Sequence, residues 1–209
     1  MQLQTPYPEV PINILINYAI QNADKLDGHY IQHCGRLTLS SEKIYLLTEG
    51  NIRIEHRKTS ITLGVFIRKM VIGIVEQNYS LEDLVYVTAK DTVILSVDSV
   101  KYLSALRDEN LLLNLNVVTS YFVARLIECV NIILSKNAYS VIRALIERYD
   151  SSQHVSSWSK ESLVSFILAR CPLSRSMVMK ILSDLRKGKY IVVHEDGRLE
   201  IIKKLPQDY

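Results

Sequence analysis

Three cysteines, Cys34, Cys129 and Cys171, are too few and too scattered for a disulfide framework. An odd, widely spaced set fits reduced thiols in a cytoplasmic protein. There is no CxxC and no His/Cys cluster to give zinc a ligand set. The four thiolates of an iron–sulfur centre are not available either, so no metal and no cofactor are expected. Seven glycines and five prolines in 209 residues leave no room for a long disordered linker. The opening residues, MQLQTPYPEV, lack a basic stretch followed by an apolar core, so no secretory signal is read. A glycine-rich phosphate loop, an HExxH helix and a nucleophile elbow are all missing, and no carboxylate pair stands in a recognisable setting; the chain does not read as an enzyme.

What is present is ordinary in amount and uneven in place. Hydrophobic residues make up 48% and charged residues 22%, as in soluble globular proteins. Up to Ser135 there are 12 Lys/Arg against 14 Asp/Glu, a balance of −2; from Lys136 onward there are 13 against 8, a balance of +5. Basic charge gathered in the C-terminal third suggests that this part meets a polyanion.

The longest apolar run with helical spacing is 110–134. Leu111, Leu115, Val118, Phe122, Leu126, Cys129 and Ile133 step by four and three, the rhythm of one helix face. Leu113, Val117, Tyr121 and Ala124 widen it. A helix so apolar around its girth must bury two sides. One side can cover its own domain; a second copy of the same helix is the simplest partner for the other, which makes this stripe the candidate homodimer interface. The alternative is a central core helix of a monomer. A membrane span is disfavoured because Arg125, Glu128 and three asparagines interrupt the run.

Before this helix the pattern is that of strands. An amphipathic helix, Pro11 to Leu26, ends at Asp27-Gly28, and His29, His33 and Cys34 follow. These three could hold haem or sense oxidants, but they read better as solvated loop residues. Between Arg36 and Val97 short alternating runs predict strands: Ile44 to Leu47, Ile52 to His56, Ile61 to Ile67, a segment around Gly73, then Leu84 to Ala89 and Thr92 to Val97 split by Lys90-Asp91. Such spacing predicts a sandwich or barrel. Asp98 or Ser99 is placed to cap a short helix after them.

After the long helix, Ala138 to Tyr149 is amphipathic. Ser159 is placed to cap a helix from Lys160 to about Arg170. Cys171-Pro172-Leu173 breaks it, Ser174 caps the next helix, and Gly188 stops that one at about Lys187. Two β-branched runs, Tyr190 to Val193 and Leu199 to Ile202, flank an Asp196-Gly197 turn signal. Helix, break, capped helix and hairpin in this order predict a winged helix-turn-helix; a small structural helical domain is the alternative. In the second helix, Val178, Ile181, Leu182 and Leu185 share one face and should pack inward. Arg175, Ser176, Met179, Lys180 and Ser183 should face out. Arginine suits guanine O6/N7, serine a base or a phosphate, and amides at a helix start favour phosphate.

The order of β-roll, long helix and winged helix-turn-helix resembles the Crp/Fnr superfamily of bacterial transcription regulators over most of the chain. The residues that carry the likeness are Ile44-Tyr45-Leu46-Leu47-Thr48-Glu49-Gly50, Val71-Ile72-Gly73, and Leu173 to Leu182 against the family's recognition helix. The resemblance implies an α+β chain with a cyclic-nucleotide-binding-like roll at 1–107, a dimerisation helix at 108–135 and a winged helix-turn-helix at 136–209. It places Ser174, Arg175 and Lys180 at DNA-contact positions. With Ser159, Lys160, Ser176, Met179 and Arg198 of the wing they form the candidate DNA-binding set. Ser176 stands where the family usually has glutamate, so base preference should differ. The roll and C-terminal domain are also similar to enterobacterial regulators named for inhibiting hydrogen peroxide resistance, which implies a link to oxidative stress.

Cyclic-nucleotide-binding members follow the glycine with a glutamate for the ribose and then supply an arginine for the phosphate. Here Ile74 follows Gly73, and no arginine occurs between Arg68 and Arg107. The charge-assisted hold on phosphate is missing from that segment. The expected function is a cytoplasmic, homodimeric regulator that binds double-stranded DNA at an inverted repeat and does not use cAMP in the usual way; the small-molecule effector is left open, and no membrane partner is read. The alternative is a dimeric interaction module that does not read DNA.

Overall fold

The computed structural model describes residues 5–135, 137–152, 161–194 and 197–207. Its contacts divide the chain into two compact units, Met1–Lys58 with Thr62–Ile127, and Thr59–Ile61 with Glu128–Tyr209.

The first unit is a curled antiparallel sheet with helices at its two ends. Helix α1 (Glu9–Gln21) puts Ile12, Leu15, Ile16 and Ala19 into the core, the i, i+3, i+4, i+7 set of an amphipathic helix. Strands β1 (His29–Leu37), β2 (Lys43–Glu49), β3 (Ile52–His56), β4 (Thr62–Phe66), β5 (Met70–Ile72) and β6 (Leu84–Asp98) follow. The long β6 organises them. Its first half pairs with β3, its second half with β2, and β1 runs along its other edge. One strand serving two neighbours in turn must bend between them. The bend falls at Asp91, whose φ is +62°.

Lys90-Asp91 therefore does not separate two strands, as the sequence suggested, but kinks one. Buried Thr92 ties the kink down. Its hydroxyl donates to the Ala89 carbonyl at 2.8 Å and lies within 3.3 Å of the Asn51 amide nitrogen. Gly50 lies against the same threonine with φ +79°; a Cβ there would come within 2.6 Å of the Thr92 Cα, so only glycine fits.

The second correction concerns β1. His29, His33 and Cys34 lie on a strand, not a loop, paired with β6 from His29–Ser96 to Leu37–Tyr86 around a bulge at His33/Gly35. Its burial alternates only weakly, and the backbone edge offered by β6 decides its state.

Helix α2 (Ser99–Asp108) starts at Asp98, whose carboxylate accepts the Lys101 amide. It delivers Tyr102 to the core, where the hydroxyl donates to the Leu15 carbonyl at 3.0 Å. Helix α3 (Leu112–Ile133) comes next, and it is long and apolar enough by length and composition to cross a bilayer. Its first half is nevertheless docked on the roll. Val118 is fully buried, and Leu111, Leu115, Tyr121 and Phe122 pack around it against the sheet core. The Phe122 ring meets Phe66 edge-on with centroids 5.3 Å apart.

That packing redirects part of the expected dimer stripe. Leu111, Leu115, Val118 and Phe122 are engaged by their own roll, because they pack against its sheet core. Leu126 and Ile133, further along the stripe, remain exposed, and Cys129 is half-buried.

In the second unit α4 (Ala138–Ser152), α5 (Leu163–Leu168) and α6 (Arg175–Lys187) enclose a core with the hairpin β7 (Ile191–Val193) and β8 (Leu199–Ile201). Ile142, Leu145 and Ile146 of α4 meet Phe166 and Ile167 of α5 and the apolar face of α6. Tyr149 packs edge-on against Phe166 at 5.1 Å and donates to the Glu161 carbonyl at 3.0 Å. Burying each large aliphatic side chain contributes about 1.5–3 kcal/mol, and this core has enough of them to hold a small helical unit together.

Candidate nucleic-acid interface

Helix α6 is built for display. Ser174 caps it, its Oγ accepting the Met177 amide at 3.3 Å and lying 3.1 Å from the Ser176 hydroxyl. Val178, Ile181, Leu182 and Leu185 are all buried, so the helix cannot roll about its axis without exposing them. Arg175, Ser176, Met179, Lys180 and Ser183 are all exposed. The inward and outward sets are those the periodicity predicted. Two serine hydroxyls, a guanidinium and free amides are thereby gathered at the start of a helix whose dipole also favours anions.

The helix before it starts later than expected. Ser162, not Ser159, is the cap of α5, its Oγ accepting the Ser165 amide at 3.2 Å, and the helix begins at Leu163. Ser159 and Lys160 lie outside the described residues. Between α5 and α6, Arg170 is fixed rather than free. Its guanidinium sits 3.6 Å over the Phe166 ring, pairs with Glu161 at 3.2 Å and donates to the Phe166 carbonyl. Cys171 is buried behind it, and burial pushes its thiol pKa up, which keeps it a neutral packing group.

The wing turns at Gly197, φ +84°, with the His194 amide donating to the Arg198 carbonyl and the Gly197 amide to the His194 carbonyl, both at 2.9 Å. Arg198 is exposed at the turn, and His194 pairs with Glu200 across the strands at 3.0 Å. Tyr139 and Arg143 of α4 both donate to the Pro206 carbonyl, tying the last described residues back onto the unit.

The roll carries a cleft of about 560 Å³. Gly73, φ +92°, lies under the Lys43 carbonyl, and Gln77 bridges the Lys43 and Gly73 carbonyls at 3.0 Å each. Ile74 packs on the core. Buried Tyr86 donates to the Glu76 carboxylate at the cleft wall, and burial first, then that carboxylate, raises its pKa. Arg36 and Arg57 line the same cleft, which the motifs of the sequence do not reveal. They are remote from the glycine segment, and only the curl of the sheet brings them to it. Arg57 also donates to the Glu82 carbonyl.

Comparison with known proteins places both units. Residues 138–207 match the family described as winged helix-turn-helix DNA binding. The chain is 35% identical over 78 residues to the Inhibitor of hydrogen peroxide resistance of Escherichia coli K12, a stretch that covers 37% of this chain and 36% of that protein. Among solved structures, the c-di-GMP-responsive global regulator CLP of Xanthomonas campestris superposes with a TM-score of 0.65 at 9% identity, over 90% of this chain and all of that one. A cyclic nucleotide-binding domain protein of Listeria monocytogenes gives 0.69 at 12%, over 91% and 97%. A CRP/FNR-family transcriptional regulator of Thermus thermophilus gives 0.59 at 13%, over 84% and 93%. At such identities the likeness establishes the fold: this chain has the architecture of the Crp/Fnr regulators, a cyclic-nucleotide-binding-like roll followed by helices and a C-terminal winged helix-turn-helix domain.

Proposed function

We propose that this chain is a transcription regulator that works as a homodimer in the cytoplasm and reads an inverted repeat in double-stranded DNA through α6. The observation that carries the reading is the outward face of α6. Arg175, Ser176, Met179 and Lys180 are all solvent-facing on a capped helix whose other face is locked in the core, inside a domain that matches a DNA-binding family. Arg175 would read a base edge; Ser174 and Lys180 would hold phosphate.

The dimer reading rests on the side of α3 turned away from the roll. Leu113, Val117, Ser120, Ala124, Ile127, Asn131 and Leu134 step by four and three, the a/d rhythm of a two-stranded coiled coil, with Val123 and Val130 beside them. Leu113 is 74% exposed, Ile127 54% and Leu134 75%. A mostly apolar stripe left in water, interrupted by Ser120 and Asn131, supports an interface, and a second copy of α3 would present the matching surface.

The 78-residue likeness to a regulator of peroxide resistance supports a role in the response to oxidants. The roll is not expected to hold cyclic nucleotides in the usual way, since Ile74 offers no carboxylate to a ribose and Arg57 is already bonded to Glu82. Calorimetry with cAMP and with cGMP should show no saturable heat in the micromolar range; one site per subunit at that affinity refutes it.

Selection of bound sequences from a random duplex pool tests the main reading. A palindrome should be enriched. A pool that stays random at low salt leaves the interaction module without DNA readout as the better account.

A further inference from the structure

The basic balance of the C-terminal third is not spent on the base-reading end of α6. At its far end, exposed Arg186 and Lys187 are followed by Lys189, and beside them run Lys203 and Lys204 after β8, all solvent-facing. A helix C-terminus attracts cations through its dipole, which accounts for Arg186 and Lys187. Lys187 is in addition 3.7 Å from Asp184. The dipole does not account for Lys189, Lys203 and Lys204, which lie outside the helix.

Tyr190 brings the strand end that carries Lys203 and Lys204 beside its chain neighbour Lys189. Its backbone carbonyl accepts the amides of Ile202 at 2.8 Å and Lys203 at 3.4 Å. Its ring lies over Gly188, where a Cβ would come within 2.6 Å of it, and the Lys203 ammonium stands 5.8 Å from the ring centroid. Gly188 is thus used for the close approach of the ring, at an ordinary φ of −72°. The left-handed residue is the next one, Lys189, at φ +56°. A lysine there costs backbone energy that a glycine would avoid. The position carries a charge at the expense of conformational ease.

Lys189 follows two residues after Lys187, where the outward line of α6 ends. Ser176, Lys180, Ser183 and Lys187 lie in one line along the outward face. Arg175 to Lys187 spans about 18 Å, whereas the major groove is about 12 Å wide. A helix whose first turn reads base edges therefore brings its last turn out at the groove rim, where the phosphates run and where an uncompensated helix C-terminus would be repelled.

We infer that Lys189, Lys203 and Lys204 form a second phosphate-binding patch, at the base of the wing, which grips the DNA backbone at the far rim of the groove. The inference rests on the proposed DNA-binding function and adds to it a grip that carries no base information, so its mark is salt dependence without sequence preference.

The test uses the full chain and a 40-base-pair duplex of arbitrary sequence, followed by fluorescence anisotropy over a range of salt. Changing Lys189, Lys203 and Lys204 together to glutamine should weaken binding about tenfold or more near 100 mM salt and lower the slope of log K against log salt by about 0.9 for each phosphate no longer neutralised. Lys189→Gly alone separates charge from fold. Relief of the left-handed strain should raise the Tm while DNA affinity falls several-fold. An unchanged slope in the triple variant, with the wild type binding normally, overturns the patch and leaves an acidic protein surface as the partner of these lysines. A wild type that binds no duplex even at low salt overturns the DNA-binding function, and this inference with it.

Discussion

Single substitutions on α6 and at the wing test the proposed base and phosphate contacts separately. Arg175→Ala should cost about 1–3 kcal/mol on a selected site and relax discrimination at one base pair per half-site. Lys180→Ala should weaken selected and scrambled duplexes alike and reduce the salt slope, and Arg198→Ala at the wing should behave the same way. All three side chains are exposed, so circular dichroism and Tm should stay at the wild-type values. Anisotropy on both duplexes at several salt concentrations distinguishes the roles; an Arg175→Ala protein with undiminished specific affinity would remove α6 from the reading. The outward orientation of Arg175 and Lys180 was legible in the sequence because four apolar residues, Val178, Ile181, Leu182 and Leu185, leave a capped helix one orientation. The cap of α5 was less legible. Ser159 was read as the cap, whereas the Ser165 amide bonds to the Ser162 hydroxyl, three residues further on. Arg36 and Arg57 were illegible as cleft residues, since no local pattern encodes the curl that brings them together.

At the scale of elements, periodicity found α3 but not which way it faces. An all-round apolar helix carries two stripes, and the more continuous one, Leu111-Leu115-Val118-Phe122, went to the roll. The two sides now make opposite predictions. Phe122→Ala opens a gap between α3 and Phe66 and should destabilise the fold by about 3 kcal/mol, the low end for such a change because the ring is only partly buried. Ile127→Asp puts a charge on the exposed stripe. It should leave the Tm of the monomer nearly unchanged while light scattering at tens of micromolar shifts from dimer to monomer. A wild type that scatters as a monomer at that concentration refutes the α3 pairing. Strand β1 shows the reverse difficulty. His29-Tyr30-Ile31-Gln32-His33-Cys34 has little apolar alternation, and its strand state comes from the edge that β6 presents, a partner about sixty residues further on in sequence. Where the sequence split β6 at Lys90-Asp91, local turn propensity was taken for a break between two strands, and the structure has a bend within one. The turn propensity lost to pairing on both sides, reinforced by buried Thr92.

For the molecule as a whole, pairing through α3 and reading through α6 are separate claims, and DNA binding is where they meet. A two-fold dimer would set its recognition helices about one DNA turn, roughly 34 Å, apart, so the selected site should be an inverted repeat at that spacing. Coupling two modules makes the second contact intramolecular and typically raises affinity by about 10²–10⁴ over a single half-site. The wild type should therefore prefer the full repeat to a half-site duplex by at least about a hundredfold. Ile127→Asp, which lies outside the residues 138–207 that match the winged helix-turn-helix family, should collapse that preference while leaving half-site affinity intact. Arg175→Ala should instead lower half-site affinity itself, and the full-to-half ratio falls with it. The substitution weakens the half-site once and the full site twice, because two distant, equivalent contacts add. Titrations of both variants on both duplexes thus resolve the two claims independently. A full-to-half ratio near one in the wild type means that two copies do not read DNA together. A ratio that survives Ile127→Asp means that they pair through a surface other than the outward face of α3.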